Sequence, residues 1–467
     1  TPLRTFASAL SLISLVGCLA LFLRFPSPLR SLTPSPVHRR TSPSFSLLSS
    51  LFSLFFLFTL LSPPPASRFN GATVAGVGQT LDVNFDNQLV LIGLDLSPPP
   101  RPADKPVPLT LYWRAQNIPS ADYSTSVQVV DAAGNLFGQS DAQHPGHVPT
   151  SRWRLDQYAR DEHQLTLLPG TPPGVYTLRV SVYQVGATAL SVLDEAQNPR
   201  GTLWTLGTVT VTAGSHPPAQ LDATQLRQDA LGPLTLVGQT IAHTTTLQAG
   251  DEAHLTLFWR AVDEGRPDAT LLLELIAGDQ VIASQSSAPV AGYPTSRWGA
   301  GEIVRAPLRL RVPAAAPEGV ARLQITLLSA EGVAFTEPLT LSPLELHAPA
   351  RSFVIPAIQH PRQEILGGKI KLLGYALTET GVSVYWQALA EMNTSYTAFA
   401  HGLDGAGHLV AQVDAIPLNG ARPTTGWLPG EVVLDHYPLS LTEVATLELG
   451  FYDEHGNRLG VVMVREW

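Results

Sequence analysis

One cysteine, Cys18, in 467 residues leaves no disulfide framework and no cysteine-based zinc site. Charge is also scarce, 14% against the ~25% usual for soluble domains. Lysine is limited to Lys105, Lys369 and Lys371, and a basic face able to displace phosphate counterions is missing from the body of the chain, so nucleic acid is excluded as a partner. Motifs that carry chemistry are missing too. There is no G-x-S-x-G elbow, no Walker A and no H-E-x-x-H, and Gly76-Val-Gly78 lacks the third glycine of a dinucleotide fingerprint. No catalytic residue, cofactor site or metal site follows from the sequence. Beyond Leu61 helix-period patterns are absent as well, while 40 prolines and 37 glycines punctuate short apolar runs. With 44% hydrophobic residues the chain is too apolar for disorder, and its length allows three domains and a smaller segment.

The smaller segment is residues 1–67, which hold five arginines and no acidic residue. Uncharged runs over Thr5–Leu23 and Phe45–Leu61 approach the ~20 residues that cross a bilayer as helix. The loop between them carries four arginines, His38 and several prolines, a composition retained on the cytoplasmic side. The expectation is a membrane anchor, helices about 5–23 and 45–61, with everything after about residue 67 outside a bacterial cell membrane. Two other readings stand beside it. Leu15-Val16-Gly17-Cys18 has the form of a lipobox, and the Ser/Pro/Leu/Phe-rich stretch, in a chain opening on Thr1, has the look of low-complexity sequence.

The remaining chain repeats itself three times. LTLYWRA at Leu109–Ala115 returns as LTLFWRA at Leu255–Ala261 and VSVYWQA at Val382–Ala388. PTSRW at Pro149–Trp153 returns at Pro294–Trp298 and as PTTGW at Pro423–Trp427, with 40, 39 and 41 residues from one tryptophan to the next. Asp131, Gly134, Gln139 and Asp141 match Asp404, Gly407, Gln412 and Asp414; the second copy keeps only Gln285. Each copy also opens with an apolar run ending in a glycine, as in QLVLIGLDL from Gln88.

Leu109, Leu111 and Trp113 share one face and Thr110, Tyr112 and Arg114 the other, the alternation of a half-buried strand. The D-x-x-G sequences at Asp131 and Asp404 predict hairpin turns with glycine at positive φ. Seven or eight short strands per copy predict an all-β chain of three tandem immunoglobulin/fibronectin-III-like antiparallel β-sandwiches, over 78–213, 220–348 and 353–467. Pro-bearing linkers at Ala213–Ala219 and near Leu346–Ser352 suggest a jointed rod.

On these strands Trp113, Trp259 and Trp386 read as core. Arg152, Trp153, Arg297, Trp298 and Trp427 are the candidate ligand-binding residues, because a Trp face beside a guanidinium can stack on a sugar ring and donate to its hydroxyls. The competing reading makes those tryptophans plugs at the sandwich ends, with Thr and Ser bonded to nearby backbone. His144-Pro-Gly-His147 has an H-x-x-H spacing, but on a Pro-Gly loop it reads as solvated histidines. The pairs Asp161-Glu162, Asp194-Glu195, Asp251-Glu252 and Asp453-Glu454 read as solubilising charges at strand ends.

The combination of L-x-L-x-W-R-A, D-x-x-G-x-x-x-x-Q-x-D, P-T-S-x-W and P-P-G-x-Y-x-L over Leu81–Trp467 resembles the extracytoplasmic tail that follows the multi-spanning part of some bacterial glycosyltransferases. These are of the dolichyl-phosphate-mannose protein mannosyltransferase and arabinosyltransferase type, users of polyprenyl-phosphate sugars. The resemblance implies a catalytic unit among many helices that this chain does not contain, so no catalytic residue carries over. The function it implies is a non-catalytic tail that acts as scaffold or positions an acceptor or glycan, with the membrane, a glycan or a cell-envelope protein as partner. The alternative is a free-standing, membrane-anchored carbohydrate-binding or adhesion protein.

Overall fold

Short alternating runs separated by Gly, Pro and Asp turns can bury their apolar faces only by pairing into sheets that stack face to face. The computed structural model describes residues 67–68, 74, 76–96, 100–241 and 246–464, and the chain there is all-β with only four 3₁₀ turns. Among the described residues no helix is long and apolar enough to cross a membrane. The expected spans at about 5–23 and 45–61 lie outside the described residues, as does Cys18.

Three large hydrophobic cores form, drawn from Val83–Val211, Leu231–Leu346 and Leu366–Val464, and a small fourth cluster joins Val74, Val90, Ile92 and Tyr112. In the first, Gln79–Phe85, Leu89–Leu96, Val107–Ala115 and Gln157–Leu167 make one layer, and Leu136–Ala142, Ser124–Val130, Gly174–Tyr183 and Trp204–Thr212 the other. The second sandwich repeats this order with Gln225–Leu231, Leu234–Ile241, Glu252–Ala261 and Ile303–Arg311 against Gln280–Ser287, Thr270–Ala277, Gly319–Leu328 and Leu339–His347. In the third, Ile370–Thr378, Gly381–Ala388 and Val432–Pro438 face Leu409–Ala415, Thr397–Leu403, Thr446–Tyr452 and Arg458–Val464. Pairing is antiparallel, except that Arg101–Pro102 and Thr246–Gln248 run parallel to the last long strand of their sandwiches.

The layers stay separate in the second and third sandwiches. In the first, Gly138 and Gln139 pair with Leu167 and Thr166, which joins both layers along one edge. Trp113, Trp259 and Trp386 are fully buried, as the alternation predicts. The glycines expected to end the opening strands lie inside them. Gly93, Gly238 and Gly374 each sit at a register shift beside the core tryptophan's strand. A Cβ there would come within 2.7 Å of Val77, 2.8 Å of Ala223 and 2.3 Å of the His360 carbonyl oxygen, respectively. Glycine thus lets the lead-in segment cross the strand, a role of close approach rather than of termination.

Candidate functional site: the tryptophan loops and the joints between sandwiches

Each P-T-x-x-W sequence folds into one 3₁₀ turn, Thr150–Arg152, Thr295–Arg297 and Thr424–Gly426, closed by a bond from the Trp N–H to the Thr carbonyl. The threonine hydroxyl ties this turn to the loop that leads into Ser124–Val130, Thr270–Ala277 or Thr397–Leu403. Thr150 accepts from the Tyr123 N–H at 2.8 Å and donates to Ala121 O at 2.9 Å. Thr295 does the same with Ala269 and Pro267, and Thr424 with Tyr396 and Thr394. A second strut runs from Asp122 to the Ser151 N–H and from Asp268 to the Ser296 N–H. Hydrogen bonding from the Ser151 side chain and N–H holds the Asp122 carboxyl below the usual aspartate range, and that from the Ser296 N–H and side chain does the same for Asp268. In all three copies the indole N–H donates to the carbonyl five residues back, of Val148, Tyr293 and Arg422, at 3.0, 3.1 and 3.0 Å. The threonines are buried in every copy. Buried hydroxyls and indoles so completely bonded act as clamps.

The five residues singled out for ligand binding therefore separate. Trp298 and Trp427 are 1% and 0% exposed, so neither ring offers a stacking face. Tyr293 stacks on Trp298 at 6.0 Å, and Phe451 meets Trp427 edge-on at 6.2 Å. Trp153 is half-buried against the first core, because Val148 stands where Tyr293 stands in the second copy. Arg152 and Arg297 are exposed. Only Arg152 and Trp153 thus keep the arrangement that stacking on a sugar would need.

The core tryptophans show a different kind of divergence. Trp113 Nε1 donates to Asp161 at 3.3 Å, and the same Asp161 oxygen accepts from Thr125 at 2.8 Å and meets His163 Nε2 at 3.0 Å. His163 Nδ1 lies 3.0 Å from Ser140 Oγ. At the matching strand positions the second sandwich has Ala306 and Leu308, and Trp259 Nε1 has no partner. The third has Asp435 and Tyr437, with Trp386 donating to the Tyr437 hydroxyl at 3.2 Å. Burial pushes the Asp435 carboxyl up and the Tyr437 phenol far up. Asp161 was expected among solubilising strand-end charges; it lies mid-strand on the inward face and is 2% exposed, with three donors on one oxygen.

Ser140, His163 and Asp161 have the connectivity of nucleophile, base and acid, which sequence reasoning missed because the serine comes from a strand 21 residues before Asp161. His163 is 1% exposed, so a substrate carbonyl cannot reach the base without opening the sheet edge. The set lies along the edge where the two layers of the first sandwich join, and it fastens that edge. His144 precedes and His147 ends a further 3₁₀ turn, Pro145–His147, and no group of three or more His, Cys, Asp or Glu side chains converges as a metal site among the described residues. The D-x-x-G turns form as expected: Asp131 accepts from the N–H groups of Ala133 and Asn135, Asp404 from those of Ala406 and His408, with Gly134 and Gly407 at φ 79° and 87°.

The sandwich joints bring together the remaining chemistry. At the second joint Glu431, fully buried, lies between two guanidiniums, Arg351 from the linker at 2.5 Å and Arg422 from the tryptophan loop. Arg351 also donates to Gly426 O and Ala314 O, and Arg422 to Ala350 O. Gly250 meets Gly426 so closely that a Cβ on Gly250 would stand 2.3 Å from Gly426 Cα. At the first joint Arg305 N–H donates to Gly170 O at 2.7 Å, and Arg309 donates to Asn135 Oδ1 at 3.0 Å. Beside these contacts opens a cleft of about 560 Å³, whose walls include Asp104, Lys105, Pro169, His216, Gly299 and Glu302.

No family model matches the chain, and no curated protein matches it. Solved structures similar to it include a red sea bream transglutaminase, at 7% identity and a TM-score of 0.18, covering 58% of this chain and 32% of that one. Another is a Salmonella alpha-2-macroglobulin reacted with methylamine, at 11% identity and a TM-score of 0.18, covering 82% of this chain and 20% of that one. The chain therefore spans about a third and a fifth of those proteins' lengths.

Proposed function

We propose that this chain is a non-catalytic extracytoplasmic scaffold, the tail of a membrane glycosyltransferase of the polyprenyl-phosphate-sugar type, which spaces or positions what the catalytic part acts on. The observation that carries the scaffold reading is the use of the tryptophan loops. The aromatic motif that recurs on a loop in every copy is spent on clamping the sandwich ends, with Trp298 and Trp427 closed to solvent. The buried Arg351–Glu431–Arg422 set supports it further, since a linker pinned at both ends transmits position from one sandwich to the next. The strand order favours the fibronectin-III side of the proposed sandwich class, because Leu136–Ala142, Gln280–Ser287 and Leu409–Ala415 pair with Ser124–Val130, Thr270–Ala277 and Thr397–Leu403 in the second layer. The membrane anchor and the glycosyltransferase association rest on the sequence resemblance and on the apolar runs of residues 1–67.

A second reading, carbohydrate binding, is favoured at one place only, the exposed Arg152 beside the half-buried Trp153. A glycan array probed with the full chain and with Trp153→Ala separates the two. The scaffold reading expects no glycan retained by either protein. A glycan retained by the parent and lost in a Trp153→Ala variant of unchanged melting temperature would replace it with the binding reading.

A further inference from the structure

The two joints are built from the same positions of the repeat. Ala103 N–H donates to Thr212 O, and Ala249 N–H donates to His347 O, so Asp104 in the first sandwich corresponds to Gly250 in the second. By the same register His216 corresponds to Arg351 in the linkers, and Pro169 to Ala314 in the turns. The tryptophan loops place Glu302 on Glu431 and Tyr293 on Arg422. Both glutamates accept from the N–H of the residue after the tryptophan, Gly299 at 2.7 Å and Leu428 at 2.9 Å.

The differences fall in one place. Glu431 receives two guanidiniums, whereas Glu302 receives one hydroxyl, that of Tyr293 at 3.1 Å, and forms no ion pair among the described residues. Where Gly250 packs onto Gly426, Asp104 carries a carboxylate that accepts from the Ser215 N–H at 3.2 Å. Where Arg351 fills the joint, His216 is exposed at the margin of the cleft. The cleft thus takes Asp104 from the first sandwich and Glu302 from the second into its lining, with Lys105 as the cation already beside Asp104, at 3.7 Å.

From this correspondence we infer that the cleft between the first and second sandwiches is a binding site for a guanidinium group, an arginine side chain presented by a partner polypeptide. The internal precedent is Arg351, which at the equivalent place meets a glutamate and a backbone carbonyl together. Glu302 accepts one edge of the guanidinium, in the manner of a carboxylate–arginine pair, and the Pro169–Gly170 turn lies where Ala314 lies at the other joint. Arginine suits such a site better than lysine because its planar fork serves a carboxylate and a carbonyl at once.

The test uses the full chain and three blocked tripeptides, acetyl-Gly-Arg-Gly-amide, its lysine analogue and its citrulline analogue, titrated by NMR line shifts or calorimetry. The arginine peptide is expected to bind at least tenfold more tightly than the citrulline peptide, which keeps the shape and loses the charge. Glu302→Gln should weaken arginine binding tenfold or more with the melting temperature kept within two degrees. His216→Arg, which supplies the guanidinium from the linker as Arg351 does, should raise the melting temperature and abolish peptide binding. Absence of arginine-peptide binding at 10 mM, equal binding of the citrulline peptide, or undiminished binding by His216→Arg would each overturn the inference.

Discussion

The two joints of this chain start from equivalent repeat positions and end in opposite states. The second is closed. Gly250 lies on Gly426, and Arg351 and Arg422 enclose Glu431. The first is held by Arg305 on Gly170 and Arg309 on the Asp131 turn, and it leaves a cleft of about 560 Å³. A few positions decide between these outcomes: Gly250 against Asp104, Gly426 against Arg297, and Arg351 against His216. A repeat can thus keep its sandwich unchanged and tune the joint alone. The departure of PTTGW from PTSRW then has a steric reason, because a Cβ on Gly426 would stand 2.4 Å from Ala249 O.

The comparison breaks most strongly where the clamps are deepest. Trp298→Ala and Trp427→Ala should each cost about 3–5 kcal/mol of stability, as large-to-small changes in full cores do, while Trp153→Ala should cost distinctly less. Chemical denaturation of the three variants checks the order. Arg351→Ala should cost about 3 kcal/mol, since Glu431 would remain buried with one partner removed, and its loss should be confined to the second joint. Limited proteolysis at the 346–352 linker reads that directly. Gly426→Ala should open the same joint by overpacking, at about 1–3 kcal/mol, whereas Arg297→Ala at the equivalent position of the open joint should change stability little.

The smallest effect is electrostatic. Burial raises the Asp435 pKa above 3.8, so this group favours the fold most at low pH, and that contribution disappears as pH rises through the folded value. Asp435→Asn should therefore gain melting temperature relative to the parent at pH 7.5 and lose the advantage near pH 3. A constant difference across that range would remove the assignment.

Period-two alternation was sufficient to place Trp113, Trp259 and Trp386 inside, and the D-x-x-G turns were legible because glycine at positive φ is a local requirement. Gly93, Gly238 and Gly374 were misread as strand ends, because a bulge and a terminus look alike until the crossing segment is known. Asp161 was misread for a similar reason: adjacency to Glu162 suggested a polar edge, while its inward face is set by register with Trp113 and Thr125. The joints were out of reach of any single window, since Arg351 and Glu431 stand 80 residues apart. One signal was present all the same. Aligning the copies puts Gln157, Glu302 and Glu431 at one position and Arg152, Arg297 and Gly426 at another, and those are the positions where the joints differ. Near the 346–352 linker, where a jointed rod was expected, Arg351 donates to Gly426 O and Ala314 O.

The most direct test of the scaffold account is the distance distribution across the second joint, from a pair of spin labels at the exposed sites Val320 and Leu409 in a Cys18→Ser background. The account predicts a single narrow distance that broadens in Arg351→Ala and in Gly426→Ala. A broad distribution in the parent, unchanged by either substitution, would contradict it.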